Sequence, residues 1–303
     1  DIYELKVNPY NKGFYFYDNE WIPFKKRKAK IKVKIARIKI PIQKEILESE
    51  YGSVFEKNGK YYALRYAGAM DIRAGEQWYH MNKAKNLNEF QGALKMGSLP
   101  LFNTIYADKY ENIFMISDGK IPLRDTSLSW KNPIIGISSK YKWDKLLPFE
   151  RKVQYLNPTC GYLYNANNTP IHATAPNEYW KNMFIGIQRF EYNRGERLGK
   201  LMSEVKGKFI WDDFKRIKYD ISYDSAGCYV DRFYQLYHLD SNKYPELKNS
   251  IKLLSEWDLR GNKESRAAGL VMVTHKYLAE KSSLPFAYLM IKKEAISEVD
   301  AVE

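Results

Sequence analysis

The chain has 303 residues, 45% of them hydrophobic and 15% aromatic, a composition that excludes a disordered protein. No run of about 18 apolar residues exists, so no membrane-spanning helix is expected, and two cysteines, Cys160 and Cys228, are too few for a disulfide framework. Lys and Arg total 49 against 36 Asp and Glu, a net charge of +13 that makes a polyanionic partner the first hypothesis to test.

In chain order, Phe14 to Tyr17 leads through Asp18-Asn19-Glu20 into Trp21-Ile22-Pro23, the pattern of a hairpin. From Lys25 to Lys39 there are nine Lys or Arg and no acid, so most of the excess charge is local. Lys30-Ile31-Lys32-Val33-Lys34-Ile35 alternates with period two, which sets lysines on one strand face and β-branched residues on the other. That reads as a solvated strand face, with lysine discouraging unwanted edge pairing. A phosphate-binding stripe is the competing reading, and no helix-turn-helix, zinc-finger spacing or aromatic RNA-reading motif accompanies it. Gln43 to Glu48 is a further strand, and Tyr61 to Tyr66 another after the Asn58-Gly59 turn.

Between Trp78 and Met96 the period changes, and a short amphipathic helix from Asn88 to Leu94, preceded by Leu87, is expected, capped by Asn86 or Asn88. Strands return at Asn103–Ala107 and Ile113–Ile116, and residues 120–157 are rich in loop signals. Past Pro176 helical spacing predicts helices at Tyr192–Val205, Ile210–Tyr219, Tyr244–Trp257 and Glu264–Ala279. Strands followed by helices with no linker predict an α+β fold in a single unit, residues 1–303. Ile291, Ala295, Val299 and Val302 continue a helical pattern to the last residues, and the chain opens without Met, so an internal piece of a longer protein is expected.

Candidate chemistry is sparse. His80, His172, His238 and His275 pair with no other His or Cys at metal-ligand spacing and read as scattered surface histidines. No Gly-rich phosphate loop, Gly-x-Ser-x-Gly elbow or Ser-x-x-Lys is present, and both cysteines read as inert thiols. Polar density instead gathers at Asn157-Pro158-Thr159-Cys160-Gly161-Tyr162 and at Asn165-Ala166-Asn167-Asn168-Thr169-Pro170. Gly161 to Ala166 can form a short strand, and an asparagine at its end can aim its amide into a cleft as an oxyanion donor. Asn and Pro are also ordinary turn residues.

Those two blocks, preceded by Trp143-Asp144-Lys145-Leu146-Leu147-Pro148-Phe149-Glu150, resemble the penicillin amidase family, which includes penicillin acylases and acyl-homoserine-lactone acylases. Further blocks resemble it in the same order: Asp1-Ile2-Tyr3, Tyr62 to Tyr66, Lys83 to Phe90, Asn103 to Asp108 with Asn112-Ile113, Asn193 to Leu198, and Trp257-Asp258-Leu259. The resemblance implies the layered sheets and helices of N-terminal-nucleophile hydrolases, here incomplete. It also implies an amide hydrolase whose processed amino-terminal Ser, Cys or Thr attacks the substrate, its own amine serving as base. That nucleophile is not in this sequence, and Tyr51-Gly52-Ser53 stands where the family carries His-Gly-Pro.

Carried over position by position, the family's oxyanion asparagine falls on Asn167, with Asn168 as the alternative if the register slips. Its site-ordering arginine falls on Arg194, for which a helix-surface ion pair to Glu191 or Glu196 is the competing reading. An acyl-pocket residue falls on Phe102, for which a buried strand phenylalanine is the competing reading. The ligands of one structural Ca²⁺ fall on Asp1 and Glu178, although turn and helix-start carboxylates compete there. The implied partners are an N-acylated small molecule and the remainder of the precursor, with no nucleic acid, no membrane and no organic cofactor. Export from a bacterial cytoplasm is implied by analogy. A non-catalytic relative or a basic nucleic-acid binder is the alternative.

Overall fold

The computed structural model describes residues 1–35, 37–181, 186–187, 191–227, 230–231 and 233–281; Cys228 and the helical pattern from Ile291 to Val302 lie outside the described residues. The strands are β1 (Ile2–Leu5), β2 (Phe14–Tyr17), β3 (Glu20–Pro23), β4 (Lys25–Ile35), β5 (Ile38–Ser49), β6 (Gly52–Lys57), β7 (Lys60–Leu64), β8 (Phe102–Ala107), β9 (Ile113–Asp118), β10 (Ile134–Gly136) and β11 (Gln154–Leu156). The α-helices are α1 (Ala74–Lys83), α2 (Leu87–Leu94), α3 (Asn193–Ser203), α4 (Trp211–Lys218), α5 (Tyr234–Tyr237), α6 (Lys248–Ser255) and α7 (Arg266–Lys281). The class is α+β, with strands concentrated in the first half. None of the described helices is long and apolar enough to cross a membrane.

The chain divides into two compact units whose segments interleave: Asp1–Phe102, Asp118–Lys152 and Asn182–Gly186 form unit 1, and Asn103–Ser117, Val153–Lys181 and Ile187–Glu303 form unit 2.

Unit 1 is built on a six-stranded sheet of order β10-β1-β7-β6-β5-β4, antiparallel except for the β1–β10 pair. The expected hairpin is β2–β3, and its turn residues Asp18 and Asn19 have φ of 45° and 68°, the left-handed pair that a two-residue turn requires. Asn58 and Gly59 do the same between β6 and β7. The core gathers Tyr3, Leu5, Tyr15, Phe24, Tyr51, Ala63 and Ile134. Tyr3 stacks on Tyr51 with centroids 4.2 Å apart, and Tyr15 on Phe24 at 4.7 Å. Each buried phenol finds a backbone partner: Tyr3 donates to the Tyr141 carbonyl, Tyr51 to that of Ser138, and Tyr15 accepts from the Glu50 N–H. A buried polar knot sits beside α1, where Gln77 donates to Asp118 and accepts from the N–H groups of Ser98 and Leu99, while Lys152 pairs with Asp118 at 2.7 Å.

In unit 2, β8, β9 and β11 form a small sheet in which Phe114, Met115 and Ile116 are buried. Its largest core is helical: Phe233, Leu236, Ile251, Leu254, Trp257, Val271 and Leu278 pack together from α5, α6, α7 and the segments beside them. His275, read as a surface histidine, is fully buried there, stacked on Phe233 at 3.7 Å and bonded to the Tyr237 hydroxyl. It falls on the inward face of α7, a placement that depends on which helix packs against it. The desolvation of that site pushes its pKa down to about 3.

Candidate active site

The polar segment from Asn157 to Thr169 lies in unit 2. The strand expected over Gly161–Ala166 does not form; that stretch belongs to no sheet and is held by single contacts, among them the Tyr164 N–H to the Ala173 carbonyl. The reason is the asparagines. Asn165 accepts the N–H of Asn167 and Asn168 accepts that of Ala166, so side chains occupy donors that a ladder would use. Asn167 consequently turns at φ 60°, a left-handed conformation that asparagine tolerates.

The two neighbouring carboxamides have opposite fates. Asn168 is buried and saturated, its oxygen on Ala166 and its nitrogen donating to the carbonyls of Thr169 and His172. Asn167 is exposed, and its oxygen accepts from Nη2 of Arg194 at 2.9 Å. That bond uses the acceptor and leaves the amide hydrogens as the group's donors. Arg194 therefore meets a neutral amide, not an ion-pair partner. Glu191, one of the two acids weighed for it, is engaged by His172 at 3.0 Å and by the Thr169 N–H.

Arg194 is carried by the first turn of α3, which approaches the asparagine turn closely. A Cβ at Gly195 would stand 2.7 Å from that of Asn168, so this position needs glycine. Arg197, one turn on, forms a two-bonded pair with Asp220 at 2.8 and 3.1 Å and raises the stiffness of the helix mounting. Beside it opens a cavity of about 890 Å³, lined among others by Tyr164, Asn165, Arg194, Leu198, Leu201 and Phe214. Asn103 supports the turn from below, donating to Asn165 and to the Asn168 carbonyl. Sequence reasoning missed Asn103 and Gly195 as supports, since the Asn103 contacts span 62 and 65 residues and the approach of Gly195 to Asn168 is likewise remote in sequence.

Phe102 begins β8, is 48% exposed and does not line that cavity. Cys160 sits with its sulfur 3.0 Å from the Thr174 hydroxyl. Asp1 and Glu178 do not fit a calcium site. Both oxygens of Asp1 accept from Arg124 Nε, and one also takes the Trp143 indole at 2.7 Å. Glu178 accepts the N–H groups of Cys160 and Thr159, which hold its carboxyl below the ordinary value. Among the described residues no three His, Cys, Asp or Glu side chains converge to hold a metal ion.

The sequence model of the penicillin amidase family matches residues 1–299. Penicillin G acylase of Escherichia coli is 26% identical over 174 residues, 56% of this chain and 20% of that protein. The acyl-homoserine lactone acylase PvdQ of Pseudomonas fluorescens is 27% identical over 124 residues, 38% of this chain and 16% of that protein. A solved thermostable penicillin G acylase from Alcaligenes faecalis superposes with a TM-score of 0.70 at 21% identity, over 95% of this chain and 52% of that one. The fold is thus that of the solved penicillin G acylase. The chain belongs to the penicillin amidase family, whose named members are amide-cleaving acylases, and it spans about half the length of the solved relative.

Proposed function

We propose that this chain forms part of an amide hydrolase that removes an acyl group from an N-acylated small molecule. In this reading an amino-terminal Ser or Cys outside these 303 residues attacks the amide carbonyl, its own amine taking the proton, and an acyl-enzyme forms as the amine leaves. Asn167 donates an amide hydrogen to the oxygen that becomes negative in the tetrahedral intermediate. Arg194 is a positioning residue: by holding the amide oxygen it fixes which end of Asn167 is presented. The reading rests chiefly on the 2.9 Å Arg194–Asn167 bond beside a saturated Asn168. The partners are the remainder of the precursor and the acylated substrate, and the working place is outside the bacterial cytoplasm.

The test uses the full-length protein that carries these residues. Asn167→Ala is expected to lower kcat by roughly 10²–10³, the cost of one lost oxyanion donor, with only a small drop in melting temperature from alanine at φ 60°. Asn168→Ala is expected to do the reverse in kind, lowering stability because carbonyls and an N–H lose their partner. Full turnover by Asn167→Ala, or a gene with no Ser, Cys or Thr at a processing point ahead of Asp1, overturns the assignment.

A further inference from the structure

The β4–β5 pair is not sheet along its whole length. β5 meets β6 only from Leu47 to Ser49, so residues 38–46 of β5 pair with β4 alone and the two strands run on as a two-stranded ribbon. Residues directly opposite share a face. One face therefore carries Ile31 with Ile42 and Val33 with Ile40, followed by Ile38, with Lys44 across from Ala29 at its root end; the other carries Lys30 with Gln43, Lys32 with Pro41 and Lys34 with Lys39. Both faces are open. Ile31, Val33, Ile38, Ile40 and Ile42 are 46%, 36%, 68%, 43% and 46% exposed, and Lys28, Lys30, Lys32, Lys34 and Lys39 are exposed as well.

Charge is balanced only at the root. Lys25, Lys26 and Arg27 pair with Glu50, Glu45 and Glu48 at 3.1–3.3 Å. Farther out, Lys28, Lys30, Lys32, Lys34, Arg37, Lys39 and Lys44 have no acid partner among the described residues. Lys34 stands directly across from Lys39, a like-charge pair that destabilises a ribbon in water and is relieved by a negative neighbour.

We infer that this ribbon is a docking surface for an anionic lipid bilayer, which it binds peripherally. The two faces are opposite sides of one ribbon, so a β-branched face at the acyl boundary leaves the lysines at the level of the headgroup phosphates. The lysine stems reach sideways to those phosphates while the isoleucines leave water. A nucleic acid would satisfy the lysines and leave the isoleucines wet. A second copy would cover the isoleucines and bring two uncompensated positive ribbons together. A bilayer with negative headgroups answers both faces at once. The inference stands apart from the amide-hydrolase reading, since no residue of unit 2 enters it.

The experiment is flotation of the full-length protein that carries these residues with phosphatidylcholine vesicles, with and without phosphatidylglycerol, at low and high salt. Binding is expected with the anionic vesicles alone and is expected to fall roughly tenfold or more as salt screens the lysines. Val33→Glu with Ile40→Glu, and separately Lys32→Glu with Lys34→Glu, are each expected to abolish it. Neither pair touches the core of unit 1, and circular dichroism checks that both variants fold. As a second readout, Val33→Trp is expected to shift its fluorescence to the blue on anionic vesicles only. No flotation, a tryptophan that does not shift, loss with the lysine pair but not the apolar pair, tight salt-dependent binding to duplex DNA in place of vesicles, or a dimer broken by Val33→Glu each overturns the inference.

Discussion

At the centre of unit 1 the buried side chains are polar at one end: Tyr3, Tyr15 and Tyr51 bury their rings and seat each hydroxyl on a named backbone atom, and beside them Asp118, Lys152 and Gln77 satisfy one another. The helical centre of unit 2, from Phe233 to Leu278, is mainly a matter of filling space, with His275 buried among its apolar side chains. The first kind of interior is specified by direction, so a change there strands a partner. The second is specified by volume, so a change there leaves a void.

The interior of unit 1 is most vulnerable at Lys152. Lys152→Met leaves the Asp118 carboxylate, 1% exposed, without its cation, and is expected to cost about 3–5 kcal/mol in urea unfolding. The combined Asp118→Asn and Lys152→Met protein is expected to recover most of that loss, because no charge is then stranded. In unit 2, Leu236→Ala is expected to cost about 2–5 kcal/mol through lost burial and the residual cavity, and its neighbours should relax part of the way. No second substitution at a polar group should rescue it.

A pH titration sharpens the same contrast. The unfolded chain protonates His275 near pH 6.5, whereas the folded chain resists until about 3. The contribution of this site is therefore whole above pH 6.5 and lost as pH falls toward 3, at up to about 1.4 kcal/mol per pH unit. His275→Phe is expected to remove that part of the slope, as read from urea midpoints across the range. The smallest effect is local: Asn86→Ala removes the acceptor for the Glu89 N–H at the start of α2 and is expected to cost about 0.5–2 kcal/mol.

What the sequence discloses follows from range. The β2–β3 hairpin, the β6–β7 turn, the basic strand and the Asn86 cap were all readable because each depends on residues a few places apart. α1 was not placed, although Trp78 marked its neighbourhood: its buried residues are Gln77 and Met81, and a buried glutamine breaks the apolar stripe that would announce the helix. The Asp118–Lys152 pair joins residues 34 apart and has no local signature. At the candidate site, Asn167 and Arg194 came from family resemblance, and the structure puts them in contact. Only the side-chain bonds set Asn167 and Asn168 apart, since the sequence offers two adjacent amides of the same kind.

The position of β1 has a consequence for synthesis. It lies inside the sheet, antiparallel to β7 on one side and parallel to β10 on the other. While the polypeptide emerges from a ribosome, residues 2–5 can meet β7 early, but their second flank stays bare until Gly136 is out. A central strand that waits so long for its neighbour exposes hydrogen-bonding groups during translation, and such far-separated pairing is slow to close. The early segment is thus where a nascent-chain chaperone has most to protect.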